Sequence, residues 1–487
     1  MKAKILELQQ KSSLLEPGID QMKDLNQEIM SFVYEFLGQI NHSKAYQKIP
    51  DMKGKMEGAE EIQPIRKILD QLKSDMTELG LNPASGGHLG YIPGGGLFAG
   101  GLGDVLAAVT NQYAGIFYGG PGAVKMENEL LRWLCKLMGY PTSSLGNLTS
   151  GGSIANLIAF VTAREARSIR SADFDKQCIY LTTQVHHCVH KAIRICGLQE
   201  ARIRNIPVDS HYKMNMIALE NSIKEDIQLG FQPFMIVGSA GTTDTGAVDP
   251  LFEMSELAKK YNLWFHIDAA YGGFFALSNL PSQGGGTVKD LFKGIEQSDS
   301  LAIDPHKGMF LSYGLGAVLI KDVASQYKAH YYRAAYMQDS IQSQDELNPA
   351  DLSPELTKHF RGLRLWIPLK LYGIQTFMYA LDEKILLCRF FYAEVSKMGF
   401  QVGPFPGLSV CIYRYVPKNG NADFFNQKLV QYVIGDGRVF VTSTTIDEVF
   451  WIRLAVLSFR THLYHIETLL SVLNEGCQQL AIELDGK

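Results

Sequence analysis

Lys307 stands in the stretch "LAIDPHKGMFLSYGLGAVLI" (301–320), directly after His306, with an apolar run on either side. Lysine at the mouth of buried strand is unusual. Desolvation disfavours the ammonium, lowers the pKa and yields an amine nucleophile able to condense with a carbonyl. The plainer reading is a lysine that snorkels to water at a strand end. Asp268, in "HIDAAYGGF", is equally out of place, because an unpaired buried carboxylate is very costly. A cationic ring nitrogen would serve as its partner, and so would a structural arginine. "TTQVHHCVHKA" crowds His186, His187, Cys188 and His190 together. His186 and His190 are four apart, as two zinc ligands on one helical face would be. No HExxH and no distant Cys/His set completes such a site, and the alternative is an imidazole lying flat on a planar ligand. "TSGGSIANLIAF" places Gly151, Gly152 and Ser153 before a helical pattern, where free backbone N–H groups make an anion site; an ordinary serine cap reads the same, and no GK[ST] follows. "SAGTTDTGAVDP" adds a polar turn with Thr242, Thr243 and Asp244.

No single one of these signals is specific. Together they describe an anion at a helix N-terminus, a stacked ring, an aspartate on a ring nitrogen and a lysine on an aldehyde. Pyridoxal 5'-phosphate asks for that combination.

These residues need a scaffold, and the chain has one to offer. Helix signals at Met126–Met138 and Ile154–Arg167 are followed by short β-rich runs: "CIYL" at 178, "FMIVG" at 234, "LWFHI" at 263, "LAI" at 301 and "AVLI" at 317. Alternation of this kind predicts an α/β fold with a mainly parallel sheet covered on both faces. Ligands then bind at the carboxyl ends of strands, where the candidate residues fall. Residues 1–80 read as a helical segment, from "SFVYEFLGQI" and "IQPIRKILDQLKSDM". The glycine-rich stretch 82–104 has too many glycines for regular structure and too many aromatics and leucines for a linker; it is expected to be an ordered loop against a site or a partner chain. A long helix over Trp366–Met398 leads to a smaller α+β unit, with antiparallel strands at "LSVCIYRYV", "RVFVT" and "VFWIRLAVL" and a closing helix at "LYHIETLLSVLNEG". The division expected is 1–80, 81–370 and 371–487.

The chain has 487 residues, 46% hydrophobic and 20% charged, enough for a large α/β core. A net charge of -4 with no dense basic cluster argues against a general nucleic-acid binder. Seven scattered cysteines without a CxxC suit reduced thiols in a cytoplasmic protein. "MKAKILELQQKSS" has no apolar h-region, so no secretory signal is expected. No apolar run reaches the roughly 20 residues of a membrane span.

"HIDAAYGG" (266–273) followed by "DPHKG" (304–308) resembles the group II pyridoxal-phosphate-dependent decarboxylases, the family of aromatic-amino-acid, glutamate and diaminobutyrate decarboxylases. The similarity runs from about Gly87 to Leu457 and takes in "ENELLRWL", the "QVHHCVHKA" block, "GTTDTGAVDP" and "FRGLRLW". It implies a fold type I pyridoxal enzyme, resembling aspartate aminotransferase, that removes CO2 from an amino acid and works as a homodimer. By this resemblance Lys307 is the Schiff-base lysine. His186 stacks on the cofactor ring and is implicated in protonating the carbanion. Asp268 partners the pyridinium, and Ala270 packs on the ring's other face. Thr243 lies near the cofactor. Gly151, Gly152 and Ser153 form the phosphate turn, of which Gly152 and Ser153 match family phosphate-binding positions. His306 precedes the lysine as in the family, and Asp304 belongs to the same motif.

Three departures stand out. Asp304 replaces a common asparagine and Gly308 a common aromatic, so Asp304 is expected to be turned away from the phosphate or paired. The glycine-rich stretch replaces a Phe/Tyr-rich one, which weakens the case for an aromatic substrate. The segment 340–359 has no tyrosine, where aromatic decarboxylases carry the one that protonates Cα; Tyr336 lies just before it. In the family, loss of that tyrosine is linked to oxidative deamination and an aldehyde product. Arg361 and Arg453 match family arginines and are candidates for the substrate carboxylate or for structure. The competing readings are therefore an amino-acid decarboxylase, a decarboxylating aldehyde synthase or another C–C or C–S lyase, and a cofactor-binding scaffold or metal-binding protein built on the histidine cluster.

Overall fold

The computed structural model describes residues 1–49, 62–331 and 346–485. Seven strands form the central sheet: β1 (Leu145–Thr149), β2 (Gln177–Leu181), β3 (Arg202–Asn205), β4 (Gln232–Ser239), β5 (Trp264–Asp268), β6 (Ser300–Ile303) and β7 (Gly316–Ile320). Their order is β1-β7-β6-β5-β4-β2-β3. Only β7 runs against its neighbours, so the sheet is mainly parallel. β1, β2, β5, β6 and β7 are buried along their whole length, as expected of strands covered on both faces. The five runs read from the sequence are strands here. β3 was not foreseen: "RIRN" is an edge strand with no apolar run to betray it.

The helix Gly362–Lys397 begins earlier than the sequence suggests, and is broken at Gly373 (φ 67, ψ 157). Beyond the break, Leu381 and Ile385 join the core of the large sheet, while Cys388 and Phe391 join a second core. That core underlies a four-stranded antiparallel sheet of β8 (Gln401–Val402), β9 (Val410–Arg414), β10 (Thr442–Ile446) and β11 (Val449–Ala455), ordered β8-β9-β11-β10. The strand expected at "RVFVT" is displaced: it starts at Thr442, and Asp447 and Glu448, both at positive φ, turn it into β11. Leu463–Asp485 closes the chain as a helix.

The glycine-rich stretch is ordered, but it is not a loop throughout. From Phe98 it becomes a helix reaching Thr110. Before that it threads between the two sheets. Leu89 N–H donates to Phe440 O at 2.8 Å, Ala455 N–H to Leu89 O at 2.9 Å, and Leu97 N–H to Phe310 O at 2.9 Å. A Cβ on Gly94 would come within 2.1 Å of His306 O. Glycine is needed there because the loop lies directly on the Lys307 segment.

The N-terminal helices Lys2–Lys11, Ile19–Gln39 and Ile65–Leu72 contain no buried residue. Ile5, Leu8, Leu15, Ile19, Met22 and Leu25 are all exposed.

Candidate active site

The carboxyl ends of β1, β2, β4, β5 and β6 open into one cavity of about 420 Å³. All ten site residues expected from the sequence line it: Gly151, Gly152, Ser153, His186, Thr243, Asp268, Ala270, Asp304, His306 and Lys307. They come from five separate strand ends, so the parallel sheet alone explains their convergence.

Lys307 sits in a single helical turn, Pro305–Gly308, directly after β6. Its Nζ is 3.0 Å from Asp304 Oδ2, which corrects the expectation of a lowered pKa. Burial is the largest influence and does push the amine down, but the Asp304 and Asp268 carboxylates together outweigh it and the net shift is upward. Lys307 is therefore an ammonium ion paired with Asp304. This also answers what becomes of Asp304: it is buried and paired, not turned away. His306 Nδ1 donates to Leu315 O at 2.6 Å, and burial, its largest influence, lowers its pKa. His306 is thereby held neutral, with Nε2 toward Asp304 at 3.7 Å.

Asp268 ends β5. Its Oδ1 accepts from Ala270 N–H at 3.1 Å and its Oδ2 from Asn156 Nδ2 at 3.3 Å. No arginine pairs with it among the described residues, so the structural-arginine alternative is not realised. Ala270 lines the same cavity.

His186 caps the helix His187–Ile195 and accepts from Cys188 N–H through Nδ1 at 3.3 Å. Its pKa is lowered, chiefly by burial, so the ring is neutral and carries its proton on Nε2. Because His186 precedes the helix, it does not share a helical face with His190, which is exposed. Among the described residues no group of three or more His, Cys, Asp or Glu could hold a metal ion.

Gly151 caps the helix Gly152–Ala166 at φ 152, a conformation open to glycine. The first-turn amides of Gly152 and Ser153 are left at the cavity. Thr242 Oγ1 is turned to Thr245 Oγ1 at 2.8 Å, and Thr243, half-buried, lines the cavity beside it.

One departure from the family pattern, and the two family arginines, find structural reasons. A Cβ on Gly308 would lie 2.8 Å from Phe274, which is fully buried; Gly308 is set by packing beneath the site, not by substrate. Arg453 donates to Thr243 O, Tyr91 O and Thr442 Oγ1, and Arg361 pairs with Glu355 at 2.9 Å. Both arginines are engaged within the fold. Tyr336 and residues 340–345 lie outside the described residues; 346–359 contains no tyrosine. Sequence reasoning missed Asn156, His266 and Tyr313. His266 is two residues before Asp268 on the same strand, and period-two alternation could have found it. Tyr313 lines the cavity with its ring edge-on to His306, centroids 5.9 Å apart.

The donor set fits pyridoxal phosphate. Gly152 forms a cradle that a side chain would fill, since a Cβ there would meet Asp304 and Ala270 at 3.0 and 3.1 Å. The cavity joins that cradle, a carboxylate and a lysine amine.

Comparison with known proteins agrees. Residues 70–404 match the pyridoxal-dependent decarboxylase conserved domain. An aromatic-L-amino-acid decarboxylase of Bacillus atrophaeus is 32% identical over 381 residues, 77% of each chain. A phenylacetaldehyde synthase of Petunia hybrida is 28% identical over 83% of each chain. The crystal structure of Catharanthus roseus tryptophan decarboxylase superposes with a TM-score of 0.87 at 20% identity, covering 96% of this chain and 99% of that one. The chain belongs to the pyridoxal-dependent decarboxylase family. It is a fold type I, pyridoxal-phosphate-dependent carboxy-lyase acting on an amino acid.

Proposed function

We propose that the protein decarboxylates an L-amino acid with a large apolar or aromatic side chain, releasing the amine, and that Lys307 is the covalent anchor of the cofactor. The observation that carries the anchor assignment is the convergence of Lys307, Asp268, His186 and the Gly151–Ser153 turn on one cavity. Bound pyridoxal phosphate supplies the electron sink for loss of CO2. The Gly152 and Ser153 amides hold its phosphate at the helix N-terminus. Asp268 holds a proton at the ring nitrogen, His186 and Ala270 flank the ring, and Thr243 borders it. Asp304 keeps Lys307 Nζ at the cavity. His186 lines the cavity with its proton on Nε2, and that N–H is the proton source for the substrate Cα.

The substrate class rests on a second cavity of about 360 Å³ that shares Tyr313 with the first. Among the described residues Phe36, Leu72, Met76, Leu81 and Leu311 line it, and no charged residue does. A charged side chain would pay desolvation there without a partner. The relative from Bacillus atrophaeus is itself described as an aromatic-L-amino-acid decarboxylase, which supports this class against the weaker case that the glycine-rich stretch makes.

The missing tyrosine supports a second reading, a decarboxylating aldehyde synthase, and the Petunia relative is described as a phenylacetaldehyde synthase. Product analysis separates the two. The reconstituted protein, given each amino acid together with DOPA, ornithine and diaminobutyrate, is expected to release CO2 and amine from apolar or aromatic substrates. Aldehyde, ammonia and peroxide in place of amine would establish the synthase.

The exposed apolar residues of the N-terminal helices support a homodimer in which this segment covers a second copy. The seven cysteines are all free, which supports a reducing, cytoplasmic location. No helix among the described residues is long and apolar enough to cross a membrane. The chain divides into 1–80, 81–370 and 371–487 in this reading, the second boundary falling three residues before the break at Gly373.

A further inference from the structure

Behind Asp268 lies a line of buried polar groups that the proposed reaction does not itself call for. Trp264 Nε1 donates to Ser300 Oγ at 2.9 Å. Ser300 Oγ is 2.9 Å from His266 Nδ1, and His266 Nε2 is 2.7 Å from Asn156 Oδ1. Asn156 Nδ2 reaches Asp268 Oδ2 at 3.3 Å and Gly152 O at 2.8 Å. Ser300, His266 and Asn156 are fully buried, and Trp264 nearly so.

The direction of every proton in this line is determined by its two ends. The indole can only donate. The Asp268 carboxylate and the Gly152 carbonyl can only accept, so the Asn156 nitrogen faces them and its oxygen faces His266. His266 must then donate from Nε2. Burial lowers its pKa to about 4, so the ring is neutral and Nδ1 accepts. The Ser300 hydroxyl donates to that nitrogen and accepts from Trp264. Each bond polarises the next, with its positive end toward Asp268.

We infer that Trp264, Ser300, His266 and Asn156 are positioning residues that present Asp268 to the cavity as an oriented acceptor for the cofactor's ring nitrogen. The inference rests on the reading that Asp268 meets the ring nitrogen. The geometry has a definite failure mode. Without the Ser300 hydroxyl, His266 is free to carry its proton on Nδ1. Nε2 then becomes an acceptor, and Asn156 is driven to turn its oxygen onto the Asp268 carboxylate. The loss is transmitted across three residues without any change in cavity shape.

The test compares the apoprotein's affinity for pyridoxal phosphate with that for the carbocyclic analogue in which C–H replaces the ring nitrogen. Ser300→Ala and Asn156→Leu are measured beside the unaltered protein, with thermal unfolding as a check on folding. Removing a hydrogen bond to a charged group should weaken pyridoxal phosphate binding about tenfold in Asn156→Leu and about threefold in Ser300→Ala. Affinity for the analogue should stay within about twofold, since no bond to the ring nitrogen is there to lose. Equal weakening toward both ligands, or weakening toward neither, overturns the inference and leaves the reading of Asp268 intact. An unaltered protein that shows no preference for the ring nitrogen overturns both.

Discussion

The cofactor wall and the N-terminal helices are opposites in one chain. At the strand ends nearly every polar group has a partner: Asp268 has Ala270 and Asn156, Lys307 has Asp304, and His306 has Leu315. Across residues 2–39 no side chain is buried, and leucines, isoleucines and methionines face outward. The first region is organised by its own sheet. The second carries an apolar face that none of the described residues covers. A single copy thus assembles the cofactor chemistry, whereas the N-terminal helices are expected to be covered by a second copy.

Breaking the organised wall should cost most. Lys307→Ala is expected to lower kcat by about a thousandfold or more, roughly 4 kcal/mol of barrier, measured by CO2 release. Asp268→Asn should lower kcat by about a hundredfold, near 2.7 kcal/mol, with the fold retained in circular dichroism. Both effects would be small if the wall were merely structural. Deleting residues 1–39 sharpens the other side of the comparison. Sedimentation is expected to shift from dimer to monomer, with the central sheet still folded and binding of the cofactor weakened by about tenfold or less.

Acid should also act on the buried parts rather than on the helices. Burial holds His88, His266 and His465 at a pKa of about 4. In the unfolded chain these groups titrate near 6.5, so they bind more protons there than in the folded state. Stability is therefore full above pH 6.5 and is lost as pH falls toward 4. Asp249, whose carboxyl burial pushes up to about 6, works the other way between about 6 and 3.8 and offsets part of the loss. Thermal unfolding at pH 7.5 and 5 should show the decline. Gly308→Ala should cost about 1–3 kcal/mol, because its Cβ meets Phe274, and Phe274→Leu should recover part of it in denaturant unfolding.

Much of this was legible in the sequence where chemistry and secondary structure coincide. β2, β4, β5 and β6 announce themselves as apolar runs, and each ends in the residues that line the cavity. Residues that act through space rather than through motif were not legible. Asn156 lies within a helix, and His266 reads as one more residue of an apolar strand; only the pairing of β5 with β6 puts His266 beside Ser300. The charge of Lys307 depends on the 3.0 Å approach of Asp304, which spacing alone does not give. Gly308 and the glycine-rich stretch looked like marks of substrate preference. Gly308 answers to Phe274, and Gly94 to the His306 backbone.

The central claim is that Lys307 holds the cofactor. Borohydride reduction of the purified holoprotein, followed by peptide mapping, tests it most directly. The expected result is a single pyridoxyl adduct on Lys307, absent from Lys307→Ala. An adduct on another lysine, or none in a protein that retains the cofactor, would contradict it.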